Sequence, residues 1–475
     1  MQSNKIIQFV FLALMMLLSM LAVSSLLEIG SDTRNVILGS GAFVCLLLLL
    51  WRHVTIDAKL LFLIILGYAL GGKGFAYVSP AEPIYIGEIA LSLCMFGWIC
   101  RPKQLRLLET PVHRWILLYV IYAGIHLIID YSQFRLMAIR DSSMAYYGMF
   151  FVVCYSLFQE ERVTLLFERI LKIALWLSVL SMVWKMFFYG VTFTGFSPHT
   201  DAYIPLSIAA VLYLLVTGIE RGNMPKIVLA GIVAMLLVAT KTAALVALVM
   251  VIFSAILFGR TTKLIIPAVI FGALGMAAVA ITAFVDADLA LEIISGGDTG
   301  EAFGIEKGEF VGFSGTSEWR WLWWTTICVD TMRDAPIWGQ GFGADITGPF
   351  LEAWLGPEHA DSTGYARYPH NIMITVFGRL GFMGVALFSM LFLAMAILAM
   401  KFCRRYFPSS ARRDTDIICY GVVVAGMING ILQATYEVPY GAITHWVCLA
   451  YLARRYYHPE SETPENGSVE LRPAT

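Results

Sequence analysis

Charge is what this sequence has least of. Only 14% of its 475 residues are charged, where a soluble domain carries about 25%. With 59% hydrophobic residues and a mean hydropathy of +0.74, the chain falls far outside the soluble range. Cytosolic enzymes and nucleic-acid binders are excluded on that ground. A formal net charge of −1 offers no basic surface to a polyanion. Eight cysteines are present, but all except Cys328 lie in or beside apolar runs. That placement argues against a disulfide framework and for small core hydrophobes. No His-Glu-x-x-His pattern, cysteine cluster or Gly-x-Ser-x-Gly elbow occurs. No internal repeat is visible, so the primary signal gives no support to an inverted-repeat transporter.

Long apolar runs fill the chain instead. A membrane helix needs about 20 mostly apolar residues. Fourteen runs are candidates: 6–27, 36–51, 58–74, 84–100, 114–129, 143–158, 165–189, 202–218, 227–239, 242–258, 264–285, 371–400, 416–434 and 441–453. No signal-peptide cleavage pattern follows the first, which is expected to stay as a span. Basic residues gather on every second connection, from Lys5 through the groups at 52–59, 101–114, 162–172, 221–226, 260–263 and 401–413 to Arg454, Arg455 and Arg472. That set holds 22 of the 33 lysines and arginines. The positive-inside rule assigns it to the cytoplasm together with both termini, which requires an even number of spans. The fold expected is an all-α polytopic membrane protein of about fourteen transmembrane helices. One large outer loop, 286–369, contains short helices. The tail 457–475 is rich in Pro, Glu and Ser and is expected to be disordered.

The outer loop holds 14 acidic residues against four basic ones. Within it, Ser317-Glu318-Trp319-Arg320-Trp321-Leu322-Trp323-Trp324 predicts a helix of about 17 residues, with Ser317 as its cap and an end before Pro336. Its tryptophans suit either a lid or an anchor at the membrane interface. Arg320 among them calls for an anion, a lipid phosphate or a substrate phosphate. The segment Pro336-Ile337-Trp338-Gly339-Gln340-Gly341-Phe342-Gly343 lacks the Lys-Ser/Thr of a P-loop and predicts tight backbone turning, not nucleotide binding.

Other polar residues collect at the outer face. Pro369 opens the twelfth run and places His370 in its first turn, where a neutral imidazole can accept a proton. Arg379 follows nine residues on, half a turn round the helix from His370, and suits an ion pair inside the bundle. Lys241 follows a run of only 13 residues, roughly 20 Å, which sinks it below the outer surface or leaves it to snorkel. Arg135 and Arg140 lie on the outer connection between runs five and six. His199 and Asp201 precede run eight. A metal-free site for a phosphorylated lipid fits this set best.

Three segments resemble the O-antigen ligase family, which includes lipid A-core:O-antigen ligases, O-antigen and exopolysaccharide polymerases and some protein O-oligosaccharyltransferases. Val238-Ala239-Thr240-Lys241-Thr242-Ala243-Ala244-Leu245 looks like the family's Ser-Arg-(Gly/Thr)-Ala-Leu helix start. Trp319-Arg320 through Pro336-Ile337-Trp338-Gly339-Gln340-Gly341 is similar to its Arg…Trp…Pro-Leu-Phe-Gly-x-Gly stretch. His370-Asn371-Ile372-Met373-Ile374 with Gly378-Arg379-Leu380-Gly381 is similar to its His-Asn-x-x-Leu…Gly-Leu-x-Gly motif. The segment 195–205 also resembles the family's Gly-x-x-x-Pro-Asn approach to a span. The motifs cover 195–390, and the first half matches only in hydropathy.

The resemblance implies N-terminal membrane helices over 1–200 and a ligase-like region over 201–456. It implies glycan transfer from a polyprenyl-diphosphate-linked oligosaccharide to a hydroxyl of a growing polysaccharide or a lipid acceptor. The reaction runs at the periplasmic face of a bacterial inner membrane, without ATP and without a cofactor. Other polysaccharide assembly proteins are implied partners. Carried over by residue, Arg320 and Lys241 hold the diphosphate and His370 is the base, with Asn371 beside it. Lys241 departs from the family's usual Arg and gives a point charge in place of a bidentate fork. Arg379 replaces an acidic or polar residue and receives no role. Arg135 and Arg140 are added here as further diphosphate candidates, and His199 and Asp201 as site candidates, from their position alone. A polymerase of an envelope polysaccharide is the first reading and a ligase onto lipid A-core or another acceptor the second. A non-enzymatic transporter of lipid-linked sugar is the third, and the clustering of cations at one face argues against it.

Overall fold

The computed structural model describes residues 55–76, 85–101, 107–189, 203–238, 246–252, 316–355, 368–406 and 413–459. Among them the regular structure is all helical. The helices are α1 Ile56–Ala76, α2 Ile86–Ile99, α3 Pro111–Phe134, α4 Leu136–Asp141, α5 Ser143–Tyr146, α6 Met149–Leu157, α7 Glu161–Tyr189, α8 Ile204–Glu220, α9 Met224–Val238, α10 Thr316–Asp334, α11 Gly348–Leu355, α12 Ile372–Tyr406, α13 Arg413–Leu432 and α14 Pro439–Tyr457. Residues 246–252 are also helical. The candidate runs 6–27, 36–51 and 264–285 lie outside the described residues, and so does the tail from 460 onward.

Helix starts follow local chemistry. The Thr110 hydroxyl accepts from the His113 amide at 3.2 Å, and Pro111 takes the first helical position of α3, where no amide is needed. Pro439 does the same for α14. Four described helices are long and apolar enough to cross a membrane: Asp57–Ala76, Pro111–Phe134, Ile372–Arg405 and Asp414–Leu432.

The run 143–158 is helical as α5 and α6, joined through Tyr147 and Gly148, both of which keep right-handed helical dihedrals. All nine residues of α6 are buried, against α14 and α2. The tryptophan helix α10 has 19 residues and begins at Thr316, so Ser317 lies inside it and not ahead of it.

The bundle is built around α14, whose residues from Pro439 to Ala453 are all buried. A helix apolar on every side belongs in a core. It packs against α13, α6, α1 and α12. By contrast, α3 and α12 show one open face each. Leu118, Ile121, Ile125, Ile128 and Ile129 are exposed on α3, and Met390, Leu393 and Ile397 on α12. Their three- and four-residue spacing makes one stripe per helix. Such stripes are out of place in water and suit hydrocarbon.

Ion pairs mark one end of the bundle. Arg101 bonds Asp57, Arg455 lies 3.2 Å from Asp416, Arg221 lies 3.6 Å from Asp414, and His458 meets Glu109 at 3.1 Å. These residues sit on the connections that the charge rule assigns to the cytoplasm. The opposite end carries α4, α5, the strap 368–371 and the α13–α14 connection.

Candidate functional site

His370 is not in the first turn of the twelfth run. The helix starts at Ile372 and Asn371 caps it, its Oδ1 accepting from the Met373 and Ile374 amides at 3.0 and 3.3 Å. The angular argument that separated His370 from Arg379 therefore does not apply, because His370 stands ahead of the helix. Its φ of 54° is left-handed, a conformation costing a non-glycine residue about 1–2 kcal/mol. The strap is pinned from α10. Trp324 Nε1 donates to the Pro369 carbonyl at 2.6 Å, and the Trp323 ring meets the His370 ring edge-on at 6.2 Å.

The imidazole lines a small cleft, open to solvent, with Pro205, Asn429, Gln433, Thr435 and Tyr440. Its Nδ1 is buried without a hydrogen-bond partner. Burial pushes the imidazole down to about 3, and the positive charges of Arg320 and Lys73 add to that push. The ring is thus neutral at physiological pH.

Arg320 comes from α10 and donates to the Leu432 carbonyl at 3.5 Å, at the C-terminal, partly negative end of α13. Gln433, the next residue, lines the same cavity as His370. Arg320, His370 and Asn371 are therefore brought to one place, and Asn371 spends its side chain on the cap. Lys73 joins them by charge, a residue that sequence reasoning passed over. It follows Gly72, whose φ of 56° interrupts α1. A Cβ at Gly72 would strike the Tyr203 hydroxyl, which bonds the Leu70 carbonyl at 3.1 Å.

The other candidates part company. Arg135 is exposed and sits at the junction of α3 and α4 with φ 53°. Arg140 belongs to a second cavity, beside Tyr368 and Glu437. Lys241, His199 and Asp201 lie outside the described residues.

Arg379 is wholly buried and paired with Asp141 at 2.9 Å. Its guanidinium also donates to the Ala344 carbonyl at 3.1 Å. This is the internal ion pair that the sequence pattern suited. The Gly-rich turn is held at the same point. Gly339, Gly341 and Gly343 have φ of 80°, 90° and 89°. The Gln340 and Gly341 amides donate to the Gly378 and Arg379 carbonyls at 2.8 and 3.0 Å. The Phe342 amide donates to Asp130 at 2.7 Å and the Gly343 amide to Asp141 at 3.1 Å. Those carbonyls of α12 are open to the turn because the helix is interrupted at Gly381, φ 60°.

A family model described as O-antigen ligase matches residues 227–389. Over this stretch the chain is similar to the O-antigen ligase family. The stretch takes in Lys241, Arg320, His370 and Arg379, and leaves out Arg135, Arg140, His199 and Asp201. Within the matched stretch, the strap brings His370 to the cavity, the tryptophan helix pins the strap and the glycine turn forms the Arg379 clasp. The rest of the cavity comes from α8, the end of α13 and the start of α14, outside the matched stretch on either side. No curated protein matches the chain.

Proposed function

We propose that the protein is a membrane glycosyltransferase that moves glycan repeat units from a polyprenyl diphosphate to a sugar hydroxyl, as a polymerase of an exopolysaccharide or O-antigen. One observation carries the reading: a neutral imidazole whose buried Nδ1 has no partner lines a cavity beside a cationic guanidinium, inside the stretch that matches the O-antigen ligase family. In the proposed step the acceptor oxygen bonds to the anomeric carbon of the donor sugar. The bond from that carbon to the diphosphate oxygen breaks, and the electron pair leaves with the phosphate. Arg320, with Lys73 and Lys241, stabilises the departing charge. The acceptor proton goes to His370.

Donor binding and proton acceptance are coupled in this scheme. A diphosphate against Arg320 and Lys73 offsets two of the three causes that hold the imidazole down. The base strengthens when the donor arrives.

The reading carries the topology expected from sequence: about fourteen spans, both termini in the cytoplasm and the loop 286–369 in the periplasm of a bacterial inner membrane. It also carries the division into 1–200, 201–456 and a cytoplasmic tail, with no cofactor required. Other polysaccharide assembly proteins are its proposed partners. The ligase alternative, transfer to lipid A-core or another terminal acceptor, is favoured by the description of the matched family.

The test is a deletion strain complemented with His370→Ala, with membrane abundance checked. Loss of long chains, with single repeat units accumulating on lipid, is the expected result. Long chains retained on the lipid carrier and absent from the acceptor would shift the reading to the ligase. Normal polymer and normal transfer would remove His370 from the chemistry.

A further inference from the structure

The basic end of the bundle holds a set of cations that the transfer step does not use. The first turns of α7 belong to that end, because the Tyr451 hydroxyl of α14 donates to Glu168 at 3.1 Å, one turn before the Arg455 that pairs with Asp416. Arg162, Arg169 and Lys172 are exposed on these turns. At 100° per residue the three fall within roughly 80° of one another round the helix.

Other cations at this end have taken partners. Arg101 bonds Asp57 and Arg221 pairs with Asp414, while the guanidiniums of Arg405 and Arg454 lie over the rings of Tyr456 and Tyr155. Among the described residues Arg162, Arg169 and Lys172 have neither an ion pair nor a ring. Nearby acids do not neutralise them. Glu168 is engaged by Tyr451 and Glu160 acts on Arg101, so Glu161 is the one exposed acid on these turns against three cations. Arg162 also stands in the first turn of α7, at the partly positive end of the helix, where an anion is favoured and a further cation is not.

Between the two arginines the surface is hollow. Arg162, Leu165, Leu166 and Arg169 line an open groove of about 400 Å³, and ligand sites run ~300–1,000 Å³. Beyond the cations the same face turns apolar. Trp176, Leu180, Val183 and Trp184 are exposed at three- and four-residue spacing. From Lys172 to Trp184 the helix rises about 18 Å, against about 15 Å for half of the hydrocarbon core.

This order selects the ligand. Cations, then a groove walled by leucine, then an apolar stripe one leaflet long match a molecule with an anionic head and an acyl tail. A free phosphate has no use for the stripe. A second copy, related by a two-fold axis, would set its own arginines against these.

We propose that α7 is a binding site for an anionic phospholipid, with Arg162, Arg169 and Lys172 holding the phosphate and an acyl chain lying along Trp176, Leu180 and Trp184. The site lies at the opposite end of the bundle from His370 and needs nothing from the glycosyl-transfer reading.

The test places the full-length protein in phosphatidylcholine nanodiscs that carry a minor fraction of lipid brominated on its acyl chain, either phosphatidylglycerol or phosphatidylcholine. Bromine quenches a tryptophan that it touches, and the difference between wild type and Trp176→Phe isolates the Trp176 signal. Brominated phosphatidylglycerol is expected to quench Trp176 at concentrations about tenfold or more below those of brominated phosphatidylcholine, since each cation contributes about fivefold. Arg162→Gln combined with Arg169→Gln is expected to remove most of that preference. Both side chains are exposed and unpaired among the described residues, so the fold is not at stake. Arg221→Gln, a paired cation at the same end, is expected to keep it. Equal quenching by the two lipids, or a preference that survives the double change, overturns the site. A preference lost as fully in Arg221→Gln marks a general surface charge and overturns it too. So does a Trp176 that neither lipid quenches, the result expected if another protein chain covers this face.

Discussion

At one end of the bundle Arg221 reaches Asp414 at 3.6 Å with 62% of its side chain exposed; at the other, Arg379 meets Asp141 at 2.9 Å with neither exposed at all. The first pair is solvated and replaceable. The second is sealed among a Gly-rich turn and an interrupted helix, so each partner depends on the other. The difference extends beyond these pairs. The basic end joins whole charged groups, Arg455 with Asp416 and His458 with Glu109. The opposite end adds His370, whose buried Nδ1 has no hydrogen-bond partner, at the wall of a cavity. A titratable group so placed marks a candidate functional site.

Removing one partner of the buried pair should have the largest effect. Arg379→Ala leaves Asp141 charged and sealed, and a loss of about 3–5 kcal/mol is expected, read as falling membrane abundance and a lower unfolding temperature in detergent. The double change Arg379→Met with Asp141→Leu should recover much of that loss. If it does not, the pair has a role besides mutual neutralisation.

Gly343→Ala comes next. Its φ of 89° is strained for any side chain, and the new Cβ would strike Phe134. A loss of about 1–3 kcal/mol is expected in the same unfolding measurement.

The two buried titratable groups, Glu437 and His370, should then give opposite pH dependences. Glu437 rises from 4.5 to about 7 on folding. The stability it contributes is complete below pH 4.5 and is lost as pH climbs through 7. His370 falls from 6.5 to about 3. Its contribution is complete above pH 6.5 and is lost as pH drops towards 3. In wild type the two oppose each other between pH 4.5 and 6.5. Glu437→Gln should expose a stability that only rises with pH across that window, and His370→Asn one that only falls. Identical pH profiles for all three proteins would remove both groups from this account. Smallest of all, Arg221→Ala at the basic end should cost no more than about 1 kcal/mol.

Much of the fold was legible. The apolar runs gave most helices, because a run of leucine and valine has few other solutions in lipid. The run 143–158 is helical, but hydropathy could not tell that its second half lies buried against other helices. Arg379 was readable as an internal pair because a lone cation in an apolar helix must find an acid. Its partner, Asp141, was not, being 238 positions earlier on a different element. His370 and Arg320 could be singled out from their motifs and their rarity at an apolar boundary. Lys73 and Glu437 could not, because each sits at the end of an ordinary run. Only the chain's folding gives them neighbours. A charged residue one or two places from a Gly or Pro at the outer end of a run, as both are, is the one signal that would have flagged them.

The clasp at Gly381 also has a consequence for assembly of the chain. The outer turns of α12 leave the Gly378 and Arg379 carbonyls for the Gln340 and Gly341 amides, and the turn in its own right needs Asp130 and Asp141. Three stretches made far apart in time, around 130–141, 336–343 and 378–382, are satisfied only together. Naked carbonyls are costly in hydrocarbon, so the outer part of α12 has no stable place there until the loop has folded back on the earlier helices. Insertion of this span and docking of the loop are therefore coupled: the outer end of α12 is satisfied only in a chain whose loop has folded back.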